Sequence, residues 1–230
     1  PLDYIAGKMV VVRSLERRMH LLSVTPSGHP LSDASLSQLA VPDEEITFAA
    51  MVPLQVYNSL QIPEENERLR RIRHLIIGGG AIDERLAEAL HDFPHAVWST
   101  YGMTETLSHI ALRRLNGPDA SDWYRPFDGV KTRLDSDGCL VIDAPAVCPG
   151  TLVTNDRAEL RSYGRQDNAT ASCFRILGRK DNMIDSGGIK IQIEEVEHRL
   201  RPRLTGGFAI TSCPDEQFGE AVVLLTTQTD

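Results

Sequence analysis

A short apolar run, His74-Leu75-Ile76-Ile77, passes directly into Gly78-Gly79-Gly80, and this junction constrains the fold more than any other feature of the chain. The run has the pattern of a buried strand, and the glycines force a turn at its end. From Asp83 to Asp92 the spacing becomes helical. Leu86, Ala89, Leu90 and Phe93 fall on one face, and Asp83, Glu84 and Glu88 on the other. Asp83 and Glu84 sit at the start, where the helix dipole favours negative charge. Ala96-Val97-Trp98 reads as a second strand and Ser99 to Thr106 as a polar loop. Strand, glycine turn, helix, strand is a βαβ unit with parallel strands. Both loops then lie at carboxyl ends of strands, the edge where open α/β sheets bind ligands. Gly78–Gly80 and Tyr101–Thr106 are therefore expected to face one crevice.

Around this unit, Met9 to Leu22 has helical spacing, Asp33 to Leu39 reads as a short helix, and Ile46 to Met51 suits a strand or a helix start. Pro53 to Leu60 reads as a helix with proline in its permitted first turn. From Trp123 the pattern shifts to short strands and turns. Val130–Leu134 and Cys139–Asp143 flank Asp135-Ser136-Asp137-Gly138 as a hairpin. Thr151 to Thr154 is a short strand, Arg161 to Ser172 a surface loop, and Cys173 to Leu177 a strand. After a boundary near Gly178 come a hairpin about Asp185-Ser186-Gly187-Gly188, a helix from Ile193 to Leu200, and strands at Phe208–Thr211 and Ala221–Leu225. In that helix Val196 and Leu200 face inward and Glu194, Glu195 and Glu197 outward. The fold class is thus α/β: a parallel-sheet βαβ layer, a small antiparallel β-barrel subdomain, and a small α+β C-terminal domain.

Composition narrows the function. Lys and Arg number 24 against 32 Asp and Glu, a net charge of −8, which disfavours nucleic acid and anionic membrane surfaces as partners. No apolar run approaches the ~20 residues that span a bilayer. The four cysteines form no CxxC pair and the seven histidines no HExxH, so zinc-ribbon and thioredoxin readings fail. A reduced, cytoplasmic protein is expected, compatible with a homo-oligomer. The basic run Arg68 to His74 is expected to be a helix face paired with Glu64, Glu65 and Glu67.

Taken singly, the candidate motifs have ordinary structural explanations. In Tyr101-Gly102-Met103-Thr104-Glu105-Thr106 the glycine admits a close backbone approach, threonine hydroxyls suit phosphate oxygens, and a carboxylate suits Mg²⁺ bound to them. The same residues would serve an ordinary polar loop. Gly78–Gly80 alone is a tight turn, Gly178-Arg179-Lys180-Asp181 a charged hairpin, and Asn155-Asp156 a strand-end cap or a ribose ligand.

Their order changes the balance. Gly-Gly-Gly-Ala at 78–81, Tyr-Gly-Met-Thr-Glu-Thr at 101–106, Thr-Asn-Asp at 154–156 and Gly-Arg-Lys-Asp-Asn-Met-Ile-Asp-Ser-Gly-Gly-Ile-Lys-Ile at 178–191 resemble the adenylate-forming acyl-CoA synthetase superfamily over almost the whole chain. Within it, Tyr4-Ile5-Ala6-Gly7-Lys8-Met9 and Glu105-Thr106-Leu107-Ser108-His109-Ile110-Ala111 look most like the o-succinylbenzoate–CoA ligases of menaquinone biosynthesis.

The resemblance implies an acid–CoA ligase with ATP, Mg²⁺ and coenzyme A. The small-molecule carboxylic acid attacks the α-phosphorus of ATP to give an acyl-adenylate and pyrophosphate, and the coenzyme A thiol then displaces AMP. By motif match, Glu105 holds Mg²⁺ and Thr104 contacts phosphate, so these two are the catalytic candidates. Tyr101 stacks on adenine beside Gly102 and Met103. Gly79, Gly80 and Ala81 line the base and acyl pocket, and Asp156 and Arg179 bind the ribose. Asp181 is the hinge and Gly188 lines the pantetheine tunnel. Gly79, Gly102, Lys8, Arg13 and His109 are the acyl-substrate candidates, the last three for a second carboxylate. Residues 1–178 are expected to be part of the large adenylation domain, with 1–122 its sheet part and 123–178 its barrel part. Residues 179–230 are part of the mobile C-terminal domain. A ligase for another aryl or acyl acid, and a non-catalytic nucleotide-binding or interaction module, are the alternatives.

Two parts implied by the resemblance have no counterpart in the sequence: a Ser/Thr/Gly-rich phosphate loop ending in Pro-Lys, and a lysine near the family's C-terminus. The chain is therefore expected to belong to a longer polypeptide, and to be negligibly active in adenylation by itself.

Overall fold

A computed structural model describes residues 2–38, 46–164 and 170–228. The chain divides into two compact units, residues 1–129 with 144–149, and residues 130–143 with 150–230.

In the first unit, helix α1 (Ile5–Glu16) precedes strand β1 (Phe48–Met51), helices α2 (Pro53–Gln61) and α3 (Pro63–Arg70), and strand β2 (His74–Ile77). Helix α4 (Glu84–His91) leads to β3 (Ala96–Gly102), β4 (His109–Arg114) and β5 (Arg125–Pro126). The five strands form one sheet in the order β1-β2-β3-β4-β5. β1, β2 and β3 are parallel, and β4 and β5 antiparallel. The expected βαβ unit is therefore present as β2-α4-β3. Asp83 caps α4 by accepting a hydrogen bond from the Leu86 N–H at 2.8 Å, which satisfies one orphan donor of the first turn. Leu86 and Leu90 of α4 are buried with Leu75, Ile77, Val97 and Leu69 in one apolar cluster. Pro53 and Pro63 both open helices in the first turn, where their missing N–H has no helical partner to lose.

The second unit holds β6 (Lys131–Leu134), β7 (Cys139–Asp143), β8 (Leu152–Gly164) and β9 (Thr170–Arg179), an antiparallel sheet in that order. There follow β10 (Met183–Ser186), β11 (Ile189–Gln192), helix α5 (Ile193–Leu200), β12 (Phe208–Asp215) and β13 (Gly219–Thr226). Their sheet order is β11-β10-β13-β12. β7 is the core strand, with Leu140, Val141 and Ile142 fully buried, as is Phe174 of β9. Burial pushes the Cys139 thiol pKa up, as expected for an inert structural cysteine.

Several expectations are corrected. Helix α1 begins at Ile5 and ends at Glu16 rather than spanning 9–22, because Arg18 takes a positive φ of 51° and breaks the helical run. The Asp33–Leu39 helix is a 3₁₀ turn at Ala34–Gln38, and Leu39 lies outside the described residues. The loop expected over Ser99–Thr106 is strand as far as Gly102, because pairing with β4 covers its polar residues. The loop expected over 161–172 is largely strand, with Arg161 opposite Cys173 and Ser162 opposite Ser172, while residues 165–169 lie outside the described residues. Glu65 takes hydroxyl donors from Ser32 and Ser59 and faces His29, rather than the basic run. Arg68 and Arg70 donate to the carbonyls of Leu31 and Asp92.

Candidate functional site

The carboxyl ends of β1, β2 and β3 form one edge, since Met51 is opposite Ile77 and Ile77 opposite Ser99. The glycine run leaves β2 at this edge. A Cβ on Gly78 would lie 2.3 Å from Thr100 Oγ1, and Gly79 and Gly80 pass beside Val52 and Pro53 at the end of β1. Gly79, Gly80 and Ala81 are exposed. The two loops expected to share an edge therefore do so.

The motif at 101–106 starts on β3 and leaves it at a bulge between Tyr101 and Gly102. A Cβ on Gly102 would fall 2.3 Å from the Ser108 carbonyl oxygen and 2.5 Å from His109 Cα. Glycine is thus required by the chain's own return into β4, whereas the sequence pattern alone suggested room for a ligand. Beyond it, Met103 leads into a one-turn 3₁₀ helix at Thr104–Thr106. Thr106 is buried. Its hydroxyl accepts from the Met103 N–H at 3.1 Å and donates to the Ser108 carbonyl at 2.7 Å. This bracing leaves Thr104 and Glu105 exposed at the tip. The supporting role of Thr106 was not legible as distinct from that of Thr104. Its only sequence signal is a hydroxyl three residues after Met103.

Tyr101 packs at a tilt against Tyr124, with ring centroids 5.8 Å apart. The Tyr124 hydroxyl lies 2.7 Å from the buried Ser99 Oγ, and the Arg113 guanidinium sits 5.2 Å from the Tyr124 ring. Of the residues considered for a second carboxylate, Arg13 and His109 are within electrostatic reach of each other. Burial lowers the His109 pKa, and the positive charge of Arg13 lowers it further. His109 also meets Phe127 edge-on at 5.5 Å, and Arg13 covers the Phe48 ring at 4.7 Å. Lys8 is exposed on α1, five residues before Arg13.

In the second unit, Asp156 and Arg179 are direct cross-strand partners in the β8–β9 hairpin. Arg179 Nη1 donates to Asp156 Oδ1 at 3.3 Å. The same guanidinium grips Asp181 with two bonds, Nε to Oδ1 at 2.9 Å and Nη2 to Oδ2 at 2.7 Å. Those bonds hold the Asp181 carboxyl below its ordinary pKa. Two expected ribose ligands and the expected hinge residue therefore form one charged cluster. Lys180 beside them pairs with Asp137 of the β6–β7 turn at 2.5 Å. Gly188 is exposed, with its N–H bonded to Asp185 Oδ1 at 3.0 Å.

Among the described residues no cluster of three or more His, Cys, Asp or Glu side chains could hold a metal by itself. Glu105 nonetheless fits an Mg²⁺ that arrives on phosphates. Such an ion keeps waters and substrate oxygens and needs only one or two protein carboxylates. Glu105 is exposed on a braced turn beside a threonine hydroxyl.

The sheet edge of the first unit thus carries an exposed Thr-Glu turn, and the β8–β9 hairpin of the second unit an Asp–Arg pair. The chain belongs to the AMP-binding enzyme family, whose model matches residues 1–154. It is 23% identical over 244 aligned residues to the 2-succinylbenzoate–CoA ligase of Bacillus cereus (strain AH820), covering 96% of this chain and 48% of that protein. The chain thus spans about half the length of the curated relatives it matches. Among solved structures it is similar to an acyl-CoA synthetase (AMP-forming)/AMP-acid ligase II-like protein from Dyadobacter fermentans, at 32% identity and a TM-score of 0.64, covering 97% of this chain and 61% of that one. It also shares the fold of the o-succinylbenzoate coenzyme A synthetase MenE from Bacillus subtilis in complex with ATP and magnesium ion. There the identity is 21% and the TM-score 0.66, over 98% of this chain and 50% of that one. No described helix is long and apolar enough to cross a membrane.

Proposed function

We propose that this chain carries the base, ribose and magnesium-binding portion of an AMP-forming acid–CoA ligase acting on o-succinylbenzoate. The observation that carries this reading is the turn of Thr104 and Glu105, presented at the parallel-sheet edge by the buried Thr106. In this reading the Tyr101 ring takes the adenine, Thr104 Oγ1 donates to a phosphate oxygen, and the Glu105 carboxylate supplies one ligand to Mg²⁺. The metal would offset charge developing on the phosphates. Asp156 accepts from ribose hydroxyls, with Arg179 beside it. Asp181 acts as the hinge and Gly188 leaves room for the pantetheine chain of coenzyme A. The boundary at residues 178 and 179 belongs to the same proposal. The Arg13 guanidinium, with the His109 imidazole kept neutral beside it, favours an acid with a second carboxylate over a simple acyl acid.

Calorimetric titration of this chain with ATP and Mg²⁺, then with o-succinylbenzoate, tests the reading. Glu105→Gln should remove the magnesium dependence of nucleotide binding. Arg13→Ala should weaken o-succinylbenzoate binding while leaving ATP unchanged. Absence of nucleotide binding to a folded chain would refute it. Binding of benzoate as tightly as o-succinylbenzoate would instead select a ligase for another acid.

A further inference from the structure

The turn between β9 and β10 carries Arg179 and Asp181, and two side chains from the β11–α5 junction fasten it. Glu194 was expected to face solvent, but it turns inward. Its Oε1 accepts from the Arg179 N–H at 3.3 Å and from Asn182 Nδ2 at 2.8 Å, while Oε2 accepts from Gln192 Nε2 at 2.6 Å. Gln192 is buried, and its Nε2 also donates to the Arg179 carbonyl at 2.8 Å. Both peptide groups of Arg179 are thereby tied to one Gln–Glu pair. Gly178 shows how close the pair comes. A Cβ there would lie 2.7 Å from Glu194 Oε2 and 2.9 Å from Gln192 Nε2, and its φ of 148° is itself one that side chains disfavour. The Glu194 carboxylate further binds residues on either side of Asp181, namely Arg179 and Asn182.

We infer that Gln192 and Glu194 are positioning residues: they fix the backbone of Arg179 so that its guanidinium is presented between Asp156 and Asp181. A flexible arginine loses backbone as well as rotamer freedom when it binds. A clamp on its peptide groups removes part of that loss beforehand, as preorganised sites do. The same bonds span Asp181, so any rotation of the backbone there must first break the clamp on one side. The ligand consequence rests on the ribose assignment made above, but the positioning itself does not.

The test uses nuclear magnetic resonance and hydrogen exchange on the chain, with AMP as the probe ligand. In the wild type the Arg179 Nε–H, identified by its loss in Arg179→Lys, should give a resolved signal because it is held on Asp181. Glu194→Ala should collapse that signal towards the free-arginine position. It should also speed exchange of the Arg179 amide at least about tenfold, the factor carried by one hydrogen bond to a charged acceptor. Gln192→Ala should act in the same direction. Glu195→Ala, which removes only the exposed pair with Arg199, should change neither readout. Unchanged exchange in β12 and β13 shows that the variants remain folded. An unaltered Arg179 signal and amide in both clamp variants would overturn the inference. With AMP, Glu194→Ala should weaken binding in the wild-type background and add nothing in Arg179→Ala, a non-additivity expected of residues acting as one. If the Arg179 signal responds but Arg179→Ala binds AMP normally, the positioning stands and the ribose assignment falls.

Discussion

Replacing Glu65 with alanine should destabilise the first unit by about 3 kcal/mol. Glu65 is 1% exposed. Its Oε1 takes a short hydrogen bond from Ser32 and faces His29 Nδ1 at 3.1 Å, and its Oε2 accepts from Ser59 at 2.7 Å. Burial works to raise its pKa, but the two hydroxyls and then His29 outweigh burial, and the net pKa is lowered. Each hydroxyl bond to a charged acceptor is worth about 1.5–3 kcal/mol, so the two contribute about 3–6 kcal/mol before desolvation is subtracted. His29 is 46% exposed, and its pairing with Glu65 adds under about 1 kcal/mol. Deleting one partner of a buried charged set costs about 3–5 kcal/mol, because the others stay behind unsatisfied. The half-open side at His29 admits water and sets the loss at the lower end. Thermal and urea unfolding followed by circular dichroism should show a fall of about 6–12 °C in midpoint. The pH dependence has a fixed sign. A depressed carboxylate pKa contributes stability that is complete above the unfolded value of 4.5 and is lost as pH falls through the folded value. The gap between wild type and variant should therefore narrow below pH 4.5. A loss under about 1 kcal/mol, or a gap that stays constant into strong acid, would refute the claim that a bonded, ionised Glu65 ties α2, α3 and the Pro30–Ser32 turn together.

Gly102→Ala should lower stability by about 1–3 kcal/mol, the usual cost of overpacking, and unprotect the amides of β4, because its Cβ would meet the Ser108 and His109 backbone. Asp83→Ala should cost about 1 kcal/mol in urea unfolding through loss of the α4 cap. Arg13→Gln should raise the His109 pKa, followed by proton resonance, since one of its two depressing influences is removed. Because that pKa lies below 6.5 in the folded chain, the stability His109 contributes is complete above pH 6.5 and fades as pH falls, and Arg13→Gln should weaken that dependence.

The β2-α4-β3 unit was legible because each cue in it is local: an apolar run, a glycine turn, an acid at the helix start, and a 3.6-residue stripe. The end of β3 was not. Ser99, Thr100 and Tyr101 are polar enough to suggest a loop, and Thr100 and Tyr101 extend the strand past β2 because β4 returns along them. The same holds for the 161–172 stretch, whose polar sequence hid the β8–β9 pairing. The candidate site residues divide along the same line. Thr104, Glu105, Asp156, Arg179 and Asp181 stand in ordered motifs, so a pattern of residue types finds them. Asp156 and Arg179 even meet as cross-strand neighbours. Thr106, Gln192 and Glu194 are different, because they serve backbone N–H and carbonyl groups whose need arises only once the chain has turned. Helical periodicity put Glu194 outside since it scores charge against solvent, and the peptide group of Arg179 that it satisfies lies fifteen residues earlier in sequence. A turn that leaves the sheet ladder must find donors and acceptors for its own backbone, and side chains near it supply them. Supports of this kind are therefore chosen by geometry rather than by motif. It follows that a substitution at Thr106 should disturb the Thr104–Glu105 turn, and one at Glu194 the Arg179–Asp181 turn, while leaving every recognisable motif residue in place.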